Sequence, residues 1–113
     1  MAIATGRLFR LWAYRVSHAR LLLRSPRSAA EPKNVDLELA GVRYVQLPAL
    51  ADLELVDTSA EDHHRAEQVL GAAVPREQVY AFAARGRRYL VVAGALGVVE
   101  TEFGPTESNL DRA

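Results

Sequence analysis

The chain contains no cysteine. That excludes a disulfide framework, a thiol nucleophile and a thiolate metal site, and with them several functions common among small domains. Lysine occurs once, at Lys33, and tryptophan once, at Trp12. Long apolar runs are also missing. The longest uncharged apolar stretch, 89–99, has eleven residues and contains Gly94 and Gly97, whereas a membrane helix needs about twenty residues, so no membrane span is expected. There is no internal repeat, no phosphate-cradling glycine loop with a following lysine, and no dinucleotide fingerprint opening a helix. Neither ATP nor NAD is implied, and no cofactor is expected.

What is present is ordinary in amount and uneven in placement. Of 113 residues, 50% are hydrophobic and 25% charged, the profile of a folded, soluble domain rather than of a disordered chain. One domain over 1–104 with a polar tail at 105–113 is expected from length and composition. The formal net charge is zero, yet the first thirty residues hold six arginines and no acid. That segment also carries Trp12 and Tyr14 between Arg10 and Arg15. A one-signed, aromatic-bearing segment is where a partner surface is first sought. The same composition describes a mitochondrial presequence, which competes with a cytoplasmic location. The apolar stretch 21–23 is too short for a secretory signal.

Periodicity sets the elements. Both faces of 8–16 are mostly apolar, which suits a strand covered on both sides, with a helix as the alternative. Residues 21–24 read as a second strand, and Pro26 and Pro32 mark a loop over 25–34. Val35, Leu37 and Leu39 alternate with Asp36, Glu38 and Ala40, the pattern of a strand with one wet face. Gly41 separates it from 42–47, and the two are expected to form a hairpin ended by Pro48. A short strand around Leu53 and Leu55 follows. Thr58 to Glu61 reads as a capping box opening a helix near 59–72, with Ala66, Val69, Leu70 and Ala73 on its apolar face. Two strands joined by a basic turn at 85–88 come next, with a helix over 75–85 as the alternative, and 96–103 is the last strand. The sum is an α+β domain: a mostly antiparallel sheet of about seven or eight short strands, curled or a small sandwich, with one capped helix.

Several constellations invite a chemical reading. His63 and Glu67 stand four apart beside His64, but a zinc centre needs at least three protein ligands, and His18 is the only other histidine. No metal site is expected. Ser17 and His18 are sequence neighbours, so on a strand they point to opposite faces, and no nucleophile elbow surrounds the serine. Glu100 and Glu102 share a strand face, where solvated acids are the plainer account. Gly94 to Gly97 has the spacing of a backbone-clamping RNA loop, yet lies between apolar strands and reads as a turn or bulge.

What remains is Arg10, Trp12, Tyr14 and Arg15, with Arg85, Arg87 and Arg88 at the basic turn. These residues point to a non-catalytic binding module that engages a protein partner, an acidic one by complementarity. The alternative is single-stranded nucleic acid, held by arginine charge and aromatic stacking. A third reading is an enzyme or metal-dependent protein using His18, His63 or His64. A homodimer through an exposed edge strand at 35–39 or 96–103 is also compatible with the pattern.

Overall fold

Branched and aromatic residues at alternating positions produce strands, and eight of them form. The computed structural model describes residues 7–26, 33–49 and 51–101. In chain order the elements are β1 (Leu8–Arg15), β2 (Arg20–Ser25), β3 (Asn34–Ala40), β4 (Tyr44–Gln46), β5 (Leu53–Val56), α1 (Ala60–Leu70), β6 (Val79–Ala84), β7 (Arg87–Val92) and β8 (Ala95–Thr101). They make one sheet in the order β4-β7-β6-β5-β1-β2-β3-β8, antiparallel throughout. This is the expected α+β architecture, and the sheet is not closed. No helix among the described residues is long and apolar enough to cross a membrane. The tail at 105–113 lies outside the described residues.

The sheet curls about β1. Its ladder with β2 slips by one residue between Leu11 and Ala13, making Trp12 the extra residue of a β-bulge, a device that bends a strand and increases its twist. On the other side β1 pairs with β5 through Leu8 and Phe9 alone. The curl brings Phe9, Leu21, Leu23 and Leu37 from one half against Leu53, Phe82 and Val91 from the other in a single core. A second cluster lies on the opposite face of β6 and β7, where Ala66 of α1 meets Val79, Ala81, Leu90 and Val92, with Val74 beside it. One layer of sheet thus separates two apolar contacts.

The helix is capped one residue later than the sequence predicts. Ser59 is the N-cap: its Oγ accepts from the Asp62 amide at 3.1 Å, and Asp62 Oδ2 accepts from the Ser59 amide at 2.9 Å. The expected pair was Thr58 with Glu61. Thr58 Oγ1 instead donates to the Val79 carbonyl at 2.7 Å, tying the helix entry to β6. Gly71, at φ 65°, ends the helix, a conformation that costs glycine little. With the helix stopped at Leu70, Ala73 falls outside its period and is exposed, Val69 is also exposed, and Val74 is buried in their place.

Other sequence expectations need correction. β3 and β4 are not a hairpin: β3 pairs with β2 and β8, while β4 pairs with β7. Both edges of β3 are occupied, so 35–39 is no exposed edge. β8 pairs with β3 alone among the described residues, and positions 102 and 103 lie outside them. Nor has β3 a wet face, because Asp36 is fully buried. β1 is a strand and not a helix, but its cover is partial, with Leu8 52% exposed and Tyr14 47%. The stretch 75–85 is a single 3-10 turn (Arg76–Gln78) followed by β6 rather than a second helix.

Candidate functional site

The register of the sheet decides which predicted site residues meet. Arg10 is opposite Arg24 on β2, and Arg24 is opposite Asp36 on β3. Two like charges placed directly across a ladder repel. Here each turns away from the other to an acid. Arg10 Nε donates to Asp52 Oδ1 at 2.7 Å at the surface. Arg24 donates through Nε at 2.7 Å and Nη2 at 3.0 Å to the two carboxylate oxygens of Asp36, and both side chains are 0% exposed. The row Asp52, Arg10, Arg24, Asp36 therefore runs from the residue before β5 across β1, β2 and β3 as two neutralised pairs.

Trp12 belongs to this row by contact. Its ring lies 5.2 Å from the Arg24 guanidinium, within the range of a cation–π interaction. Tyr14 points to the other face of β1, where with Leu11, Leu21, Val42, Arg43, Tyr44 and Val45 it lines a cavity of about 350 Å³. The two aromatics predicted as one surface are split between faces, because the bulge at Trp12 breaks the alternation. Arg15 ends β1 opposite Arg20, and Arg20 Nη2 stands 3.6 Å from Glu38 Oε1.

The basic turn forms as predicted. Arg85 and Gly86, at φ 51° and 77°, join Ala84 to its partner Arg87 in a two-residue hairpin loop, where positive φ at both positions matches the twist of the strands. Extending the β1–β5 ladder by one residue and the β5–β6 ladder by two aligns Arg85 with Asp52 and Arg10. Arg85 is then two strand spacings from Arg10, about 10 Å. The side chains of Arg85 and Arg87 are exposed and make no hydrogen bond or ion pair with described residues. Arg88 does not share that freedom. Its Nη2 donates to Asp62 Oδ2 at 2.6 Å and to the Asp57 carbonyl at 2.8 Å, and its Nε donates to Asp62 Oδ1 at 3.2 Å. It clamps β7 to the start of α1 and leaves the candidate set.

These bonds hold the Asp62 carboxyl well below its ordinary range, at about 2, with burial opposing them and the Ser59 amide assisting. A depressed carboxylate stabilises the fold above its unfolded pKa, and that stability is lost as pH falls from about 4 to about 2. The partial exposure of Arg88 screens the pair, which leaves a contribution of about 1–2 kcal/mol at neutral pH. We expect the loss of unfolding free energy between about pH 6 and about pH 3 to be smaller in Asp62→Asn than in wild type by about 1 kcal/mol, measured by urea denaturation. Equal slopes would place the Arg88 contact in solvent.

The histidines do not converge. His18 and His64 are exposed on separate elements. His63 Nε2 lies 2.6 Å from the Val74 carbonyl oxygen, which can only accept, so the ring nitrogen carries a proton. Glu67 Oε2 accepts from the Val74 amide at 2.9 Å. His63 and Glu67, four apart on α1, thus grip both polar groups of one buried residue. Among the described residues no three His, Asp or Glu side chains gather as metal ligands. Sequence reasoning missed Arg24 with Asp36, and it missed Arg43. For the first pair the signal was present, since an arginine closing a triple-leucine strand has neighbours that are buried on both faces.

Compared with protein-family models, with curated proteins and with solved structures, the chain matches none of them.

Proposed function

We propose that this protein is a non-catalytic binding module that engages an acidic segment of a protein partner at the β6–β7 turn. The observation that carries the reading is that the Arg85 and Arg87 side chains are exposed and unpaired among the described residues, on a tight two-residue turn. Arginines that hold the fold together, Arg24 and Arg88, are already engaged by acids. Unpaired guanidiniums on a fixed turn supply complementarity and steering toward carboxylates. Single-stranded nucleic acid is less well supported, because sequence-tolerant binders display several rings on one surface. Here Trp12 covers Arg24, while Tyr14 occupies the other face.

The test is fluorescence anisotropy with a labelled Asp/Glu-rich peptide and, separately, a mixed single-stranded oligonucleotide. Reversing both charges, Arg85→Glu with Arg87→Glu, is expected to weaken peptide binding by at least about tenfold. Thermal stability should be unchanged, since surface substitutions away from structural contacts shift it little. Peptide affinity that survives the double reversal, or tight oligonucleotide binding that quenches Trp12, overturns the reading.

A further inference from the structure

The cavity beside Tyr14 has a composition the arginine surface lacks. Its floor reaches Leu21, a fully buried core residue, and its walls are Leu11 and Val42. Tyr14 and Val45 stand at its rim with 47% and 38% of their surface exposed. Among the described residues no acid lines it, and the single charged group there is Arg43. Arg43 is exposed and makes no side-chain hydrogen bond or ion pair with described residues. Its own amide is fixed by a 2.8 Å bond to the Val92 carbonyl, so the backbone that carries the guanidinium is anchored at the mouth. An apolar hollow with a polar group at its mouth is the usual form of a small-ligand site.

We infer that this cavity binds a carboxylate with an unbranched or aromatic apolar body of about ten carbons, its head on Arg43 and its body against Leu11, Leu21 and Val42. One guanidinium and no acid select a monoanion, held by the planar fork that suits a carboxylate. The volume of about 350 Å³ sets the length, since at ~30 Å³ per water-sized unit it takes roughly a dozen non-hydrogen atoms. The site lies apart from the turn arginines, so it stands or falls independently of the peptide reading.

The experiment is an amide NMR titration of the full chain with decanoate, kept below its aggregation concentration, beside decanol and acetate. Shifts at Leu11, Tyr14 and 42–45 are expected with decanoate. Shortening the chain by one methylene should weaken binding by roughly fourfold. Arg43→Gln should weaken decanoate by at least about tenfold and leave decanol unchanged, while the double reversal at Arg85 and Arg87 leaves decanoate unaffected. Decanoate shifts centred on 85–87, acetate binding as tightly as decanoate, or decanol matching decanoate would each overturn the assignment.

Discussion

Replacing Asp36 by alanine is expected to lower the free energy of unfolding by about 3–5 kcal/mol, because it strands a buried guanidinium without its counter-charge. Arg24 and Asp36 are both 0% exposed and joined by two hydrogen bonds. The cost is one of desolvation and not of contact number. Arg24 also has a buried Nη1 with no hydrogen-bond partner among the described residues, so the pair already carries a donor unmet there. For that reason the double variant Arg24→Met with Asp36→Leu should recover most of the loss and come within about 1 kcal/mol of wild type. Urea denaturation of the single and double variants measures both quantities. A single variant within about 1 kcal/mol of wild type would mean that water reaches the pair, and the burial argument would then fail.

Phe9→Ala is expected to cost about 3–5 kcal/mol, the range for removing a fully buried aromatic ring. Phe9 is 0% exposed and is one of the two β1 residues that pair with β5. It packs in the core that both halves of the curled sheet share, so the hole it leaves lies at the joint between them. Leu8, its neighbour in that same short ladder, is 52% exposed. Leu8→Ala should therefore cost under about 1 kcal/mol. If the two substitutions cost the same, the ladder and not the ring would be what joins the halves. Chemical denaturation of the pair separates these outcomes.

The local elements were legible to the extent that local chemistry decides them. Alternation marked β5, glycine and arginine marked the turn at 85–86 between two strands, and a hydroxyl before two acids marked the start of α1 to within one residue. Ser59 caps rather than Thr58 because Thr58 is drawn to the Val79 carbonyl, a partner twenty-one positions away. No propensity reports such a contact. The wet face read into β3 failed for the same kind of reason: Asp36 is polar in sequence and buried in space because Arg24 arrives opposite it.

The candidate site was legible as a composition and not as a place. Seven residues were expected to act together, and the sheet sorts them by face and row: Arg10, Arg85 and Arg87 near one end, Arg15 opposite Arg20 at the far end of β1, Tyr14 at the cavity, Trp12 on Arg24, and Arg88 on Asp62. The bulge at Trp12 separates the aromatics, since one inserted residue reverses the face of those that follow.

Period, turn chemistry and capping act over a few residues, so the sequence by itself determined that this chain makes antiparallel strands around one capped helix, without a thiol, a disulfide or a long apolar helix. Strand order, the Arg24–Asp36 pair, the cavity at Tyr14 and the freedom of Arg85 and Arg87 were decided only in the tertiary structure. Each depends on which strand edge meets which and on which charge finds a counter-charge. Residues far apart in the chain settle those choices when the core closes.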